Sequence, residues 1–179
     1  MSKAVMLSIR PKWVEKIASG EKTIEVRKTK PKLETPFKAY IYCTQDKHLV
    51  FMQNQIGTNL IACMDATAAI PVGGAIGNGK VIGEFTCDRI DRLAPANDPY
   101  GIYDIDDDYV LQTCLENGAL WDYGHGTPLY GWHISDLRIY DTPKELSEFT
   151  GLRTFKGGFE LRKIDRPPQS WCYVDDANA

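Results

Sequence analysis

Histidine is scarce, with three in 179 residues, and no Cys-x-x-Cys pair occurs anywhere in the chain. A zinc site needs ligands clustered at short spacing, so neither a metal nor a cofactor is expected. The five cysteines (Cys43, Cys63, Cys87, Cys114 and Cys172) are odd in number and widely spread. That argues against a disulfide framework and for free thiols buried as small hydrophobes. No run approaches the roughly 20 apolar residues that span a bilayer, and the apolar stretch after Met1 is too short for a signal peptide. Hydrophobic residues at 43% and charged residues at 25%, with a mean hydropathy of -0.33, are ordinary for a folded chain. Disorder and fibrous architectures are excluded on that composition. A soluble, cytoplasmic protein of one domain over residues 1–179 is expected, because two full-sized domains need more chain.

The net charge of -3 hides an asymmetry. Residues 1–40 carry ten Lys and Arg against four Glu, whereas residues 84–125 carry ten acids against Arg89 and Arg92. A basic lobe on an acidic protein suits a phosphate-facing surface, since local potential steers a polyanion. A solvated face that keeps the protein soluble has the same composition.

Ala4–Ile9 reads as a strand, and Arg10-Pro11 ends it while placing proline at the first position of a helix through residue 19. Gly20 suits a left-handed helix stop. Residues 22–27 alternate as a strand, with Ile24 and Val26 on one face and Thr23, Glu25 and Arg27 on the other. A basic, proline-broken loop follows over 28–38, then a strand over 39–43. Residues 44–79 read as an insertion, and the glycine-rich, small-residue stretch from 61 to 76 as a loop within it. Further strands are expected over 80–87 and 132–140, with a short helix opened by the acids at 104–108 and ending at Leu115. Thr142-Pro-Lys-Glu145 reads as a capping box that opens a helix through Phe149. Residues 150–166 read as a loop, 170–174 as the last strand, and the tail after 174 as frayed. Many strands and few, short helices predict an α+β fold with a mixed or closed sheet.

Gly74-Ala-Ile-Gly-Asn-Gly79-Lys80-Val81 matches the phosphate-loop pattern except at Val81, where the magnesium-binding hydroxyl is missing. A strand follows it instead of a helix, so triphosphate hydrolysis is not supported. The informative segment is Gly20-Glu-Lys-Thr-Ile-Glu-Val-Arg27. Its spacing puts Glu25 and Arg27 on one strand face, with Lys22 in the turn beside them. A carboxylate, an ammonium and a guanidinium together can hold a phosphate, an amide or a base edge. A surface ion-pair cluster would show the same spacing.

These residues, with Leu7-Ser-Ile-Arg-Pro-Lys-Trp13, Tyr40-Ile-Tyr-Cys43, Val81-Ile-Gly-Glu-Phe85, Tyr130-Gly-Trp-His133 and Pro167-Pro-Gln-Ser-Trp-Cys172, resemble the ASCH family. The chain is most similar to small ASCH-domain proteins of bacteria and phages, over most of its length except 44–79 and 150–162. The resemblance implies a PUA-like fold, a small β-barrel with short flanking helices. It further implies RNA or a modified nucleoside or nucleotide as ligand, with Lys22, Glu25 and Arg27 at a cleft. Ser8, Arg10, Lys12, Tyr42, Ser170, Trp132 and Trp171 are further candidate ligand contacts, the tryptophans by stacking on a base.

Some ASCH proteins are amidohydrolases of acetylcytidine, with a lysine matching Lys22 and a threonine nucleophile where this chain has Glu25. A glutamate cannot form that covalent ester, though it can serve as general base to a water. Lys22 and Glu25 are therefore the candidate catalytic pair, with Glu84 and Glu116 as candidates for an additional glutamate. Three readings follow: an RNA- or nucleotide-binding domain, a hydrolase of a modified pyrimidine nucleoside or of RNA, and an interaction module whose acidic lobe holds a basic protein.

Overall fold

The computed structural model describes residues 2–54, 62–70, 72–97 and 101–176. The strands are β1 (Lys3–Ile9), β2 (Ile24–Arg27), β3 (Phe37–Cys43), β4 (Leu49–Asn54), β5 (Ala62–Asp65), β6 (Gly74–Ile76), β7 (Val81–Leu93), β8 (Leu129–Lys144), β9 (Thr150–Phe155), β10 (Gly158–Lys163) and β11 (Trp171–Asp175). The helices are α1 (Pro11–Ala18), α2 (Asp107–Thr113) and α3 (Asn117–Gly124). Eight strands form one sheet in the order β10-β9-β11-β1-β3-β7-β8-β2, parallel only between β1 and β3. That order is open, and no pairing joins β10 to β2 among the described residues. The α+β class stands, with a mixed sheet that its hydrogen bonds do not close into a barrel.

Alternation explains why the central strands read as near-continuous apolar runs. Val5, Leu7 and Ile9 join Ala39, Ile41, Cys43 and the buried side of α1 (Val14, Ile17) in one cluster. Ala4, Met6, Tyr40, Tyr42 and Val174 meet Phe149 and Ile164 in a second cluster. Strands covered on both faces need apolar residues at every position. A third cluster of Val26, Leu93, Tyr103, Leu120 and Leu129 anchors α3 beside the end of the long β7–β8 pair.

Several expectations shift. Residues 44–79 contain a three-stranded sheet, β5-β4-β6, and two of its strands, β5 and β6, fall in the stretch 61–76 expected as a loop; Ile61 and Pro71 lie outside the described residues. Phe51 on β4 is fully buried in the main cluster, and a Cβ at Gly77 would come within 2.6 Å of its ring. Glu15 of α1 accepts a hydrogen bond from Cys63 N at 2.9 Å. This segment thus packs on the main core through Phe51.

The helix expected after Thr142 starts three residues later. β8 continues through Lys144, and Glu145 with Glu148 forms the capping box of a single 3-10 turn, Leu146–Glu148. Residues 150–163 form the β9–β10 hairpin, which alternation could not reveal because β10 buries neither face. The tail is held further than expected: Asp175 pairs in register with Lys3, and Asp176 accepts from Tyr40 Oη. Residues 177–179 lie outside the described residues. The acid-rich helix forms as α2, its N-cap Asp106 accepting from Tyr109 N at 2.8 Å, and it closes at a left-handed Cys114.

All five cysteines are free, with Cys43 and Cys87 buried and Cys63, Cys114 and Cys172 half-buried. Burial pushes the Cys43 and Cys87 thiols up to about 12 and Cys172 up to about 11. In the unfolded chain these thiols ionise near the ordinary value of about 8.5. Above that pH the unfolded chain has released protons that the native protein keeps, so stability falls as pH rises toward the folded values. The urea midpoint should fall between pH 8 and pH 10, with Cys43 and Cys87 reacting with a thiol reagent only after unfolding; a midpoint that rises over that range contradicts this account. A second measurement concerns the small sheet. Phe51→Ala should lower unfolding free energy by about 3–5 kcal/mol, as for a large core truncation, whereas a detachable insertion would lose almost nothing.

Candidate functional site

Gly20 takes a left-handed φ of 81° and ends α1 as its position suggested. The turn after it is tied on both sides: Lys22 N donates to Lys16 O at 2.8 Å, and Thr23 N to Gln112 O at 2.9 Å. β2 then runs antiparallel to β8, with Glu25 opposite Trp132 and Arg27 opposite Tyr130. All four β2 residues are buried. The strand read from sequence as one-sided is therefore covered on both faces.

Lys22, Glu25 and Arg27 converge. Glu25 Oε2 lies 3.5 Å from Lys22 Nζ, and Glu25 Oε1 lies 3.0 Å from an Arg27 Nη2 that also donates to Ser8 O at 2.8 Å. Lys22 Nζ donates to Thr113 O at 2.5 Å, at the end of α2, and stands 5.3 Å from the Trp13 ring centre. Arg27 Nη1 reaches Ser170 O at 3.3 Å and Ser170 Oγ at 3.4 Å, while Ser8 Oγ donates to Pro168 O at 2.5 Å. The cluster gathers four separated pieces of chain.

The expected open hollow is absent at this place. The side chains are only 1%, 9% and 8% exposed for Lys22, Glu25 and Arg27. Two cations face one carboxylate, so one positive charge is left for carbonyl dipoles to balance in a poorly solvated site. Burial is the main influence on the Lys22 ammonium and lowers its pKa, with Glu25 opposing. Arg27 Nε is buried and has no hydrogen-bond partner among the described residues.

Other candidates are placed as follows. Trp132 is fully buried, edge-on to Phe37 at 5.7 Å, so it is a core residue and cannot stack on a ligand as expected. Trp171 is half-buried, tilted against Trp132 at 6.2 Å, and its Nε1 donates to Thr29 Oγ1 at 2.9 Å. Tyr42 is buried in the second cluster, in register with Ser8 on the neighbouring strand. Arg10 and Lys12 are exposed at the start of α1, with Lys12 Nζ 5.0 Å from the Trp13 ring centre.

Neither alternative glutamate contacts the cluster among the described residues. Glu84 accepts from Tyr140 Oη at 2.6 Å, and Glu116 is exposed ahead of α3. His133 Nε2 is 2.6 Å from Asp91 Oδ2, a local pair on the β7–β8 ladder.

One residue was missed. Tyr123 is 38% exposed on α3, with Lys28 Nζ 4.9 Å from its ring centre; burial raises the pKa of its phenol, with Arg27 opposing the rise and Glu25 adding to it. α3 has little apolar periodicity, and only its position against the β2–β8 edge makes this tyrosine a neighbour of the cluster.

Residues 7–93 match the model of the ASCH domain family, so the resemblance carried by the motifs is shown. The fold matches the crystal structure of ASCH from Zymomonas mobilis with a TM-score of 0.53 at 17% identity, covering 98% of this chain and 90% of that one. A tyrosine-to-phenylalanine mutant of the Zymomonas mobilis protein matches with a TM-score of 0.51 at 17% identity, over 98% of this chain and 92% of that one. At such identity the likeness is one of fold. No curated protein sequence matches the chain.

The charge balance has a measurable consequence. Glu25→Gln leaves Lys22 and Arg27 buried without their shared carboxylate, and should cost about 3 kcal/mol of stability. Lys22→Met should cost less, because Glu25 keeps Arg27. Urea unfolding of both variants checks the order, and equal losses would contradict it.

Proposed function

We propose that this chain binds RNA, or a nucleoside or nucleotide derived from it, at the cluster of Lys22, Glu25 and Arg27. The ASCH domain is generally an RNA-binding family, and residues 7–93 match its model. The observation that carries the reading is the unpartnered Arg27 Nε. Gln53 Oε1, Tyr109 Oη and Trp132 Nε1 are likewise buried without a partner among the described residues, but Arg27 Nε is the one that belongs to a charged group, and a charged donor suits an oxygen supplied by a ligand. The excess positive charge of the cluster favours an anionic or strongly polar ligand. Tyr123 supplies an accessible ring for a base, with Lys28 beside it for phosphate, and Ser8 and Ser170 hold Arg27 in position. In this reading the bent β7–β8 pair and β2 form the wall of a PUA-like cleft, with α1, α2 and α3 on its rim.

A second reading rests on the loosened Lys22 proton. A lysine whose pKa burial lowers, beside a carboxylate, fits acid–base chemistry on the amide of a modified pyrimidine nucleoside or on RNA. It requires that turnover vanish in Glu25→Gln while the protein stays folded.

Binding is tested by fluorescence anisotropy of short labelled RNAs and by competition with modified nucleosides. Lys22→Ala should weaken binding at least tenfold, and Tyr123→Ala, which leaves the buried charges intact, about five- to hundredfold if one base stacks there. Equal, salt-insensitive binding by wild type and both variants rejects the reading.

A further inference from the structure

Far along the sheet order from β2, the β9–β10 hairpin is a second basic segment of this acidic protein, besides residues 1–40. Residues 150–166 carry Arg153, Lys156, Arg162, Lys163 and Arg166 against Glu160 and Asp165. All six residues of β10, an edge strand, are exposed. Large apolar side chains stand between the cations: Phe155 is 58% exposed, Phe159 55% and Leu161 43%. Arg162 has a loose pair with Asp165 at 3.6 Å, and Lys163 Nζ donates to Glu148 O at 3.0 Å. Arg153, Lys156 and Arg166 have no ion-pair partner among the described residues.

The ribbon sorts these groups by face. Arg153 is in register with Glu160, and Gly158 with Phe155, so Arg153, Phe155, Glu160 and Arg162 lie on one side. Phe159 and Leu161 lie on the other. A cavity of about 320 Å³ lies against the hairpin, bordered by Arg153, Glu160, Arg162, Arg166, Pro168 and Tyr173. Apolar groups divided between two faces make no single greasy patch for a folded protein partner. An exposed ring, Phe155, on the same face as the guanidinium groups of Arg153 and Arg162 instead suits a single-stranded nucleic acid, base beside phosphate.

The cavity also adjoins the proposed ligand site through one short segment. Pro168 borders the cavity and its carbonyl accepts from Ser8 Oγ, while Ser8 O and Ser170 O both accept from Arg27. Residues 168–170 thus separate the two places.

We infer that the hairpin and its cavity form a second contact for single-stranded RNA, extending the path of a strand whose reactive or recognised nucleotide sits at Arg27. This inference rests on the RNA reading of that cluster. Phosphates engage Arg153, Arg162 and Arg166, and Phe155, on the same face as Arg153 and Arg162, offers a stacking surface.

The test compares RNAs of roughly 4 and roughly 12 nucleotides, lengths that bracket one and several contacts. Binding is measured by anisotropy across a salt series for wild type, for Arg153→Gln/Arg162→Gln/Arg166→Gln and for Tyr123→Ala. The triple variant changes only exposed side chains, and its melting curve serves as the folding control. It should bind the long RNA at least tenfold more weakly, with a salt slope shallower by about 2, from three lost contacts of about 0.7 each. Its binding of the short RNA should match wild type. Phe155→Ala should weaken binding of the long RNA without changing the slope.

A triple variant that binds the long RNA as wild type does, with Tyr123→Ala impaired, overturns the hairpin contact and leaves the first site standing. Loss in the triple variant with Tyr123→Ala and Lys22→Ala both unaffected retains the hairpin as an RNA surface and overturns the first site. No binding of either RNA by wild type overturns both.

Discussion

Three ionised side chains are taken out of water at the place where α1, β1, β2, α2 and the segment before β11 meet, and the fold has to keep them neutralised there. Glu25 bridges Lys22 and Arg27, and three backbone carbonyls, those of Thr113, Ser8 and Ser170, accept the remaining donors. Each of those carbonyls comes from a different part of the chain. Charges of this kind are expensive to desolvate and strongly orientation-dependent. They therefore specify how β2 docks beside α2 and beneath the β1–β11 pair as much as they stabilise it. The same constraint makes the cluster chemically interesting. One cation is in excess and one guanidinium N–H is left over.

The sheet supplies the rigidity that such a cluster needs. β1 and β3 are covered on both faces, and the main core reaches from α1 across to Phe51 of the small sheet. Side chains on strands held this way are pre-organised, so a ligand oxygen meeting Arg27 Nε would find a donor already in place. The β9–β10 hairpin is the opposite kind of element. It is attached to β11 by a single registered pair, Val174 with Gly151, and its outer strand buries nothing. A stiff, closed charged cluster thus stands beside an exposed basic ribbon.

Much of the fold was legible because local rules and burial agree there. Proline after Arg10, glycine at position 20, acids ahead of α2 and alternation in β3 and β11 each have a short-range cause. Legibility ended where a segment's partner lies far off in sequence. β4 to β6 looked like a flexible excursion because small residues and glycines hide a strand whose one large anchor, Phe51, packs on α1 and β7. The β9–β10 hairpin was unreadable for another reason: β10 has both faces wet and β9 buries only Leu152, so no apolar period exists to detect. The capping signal at Thr142 was chemically valid, yet pairing of Lys144 with Val81 extends β8 and hands the cap to Glu145.

The site divides along the same line. Residue order alone determined that a lysine, a glutamate and an arginine follow a helix stop at spacings that let them meet, because turn and strand geometry act over a few residues. Only the tertiary structure decided that they meet in a closed, carbonyl-lined position, that Trp132 belongs to the core, and that Tyr123 stands at the rim. Burial, dielectric and hydrogen-bond satisfaction are set by neighbours about 90 to 145 positions away, and no local pattern encodes them.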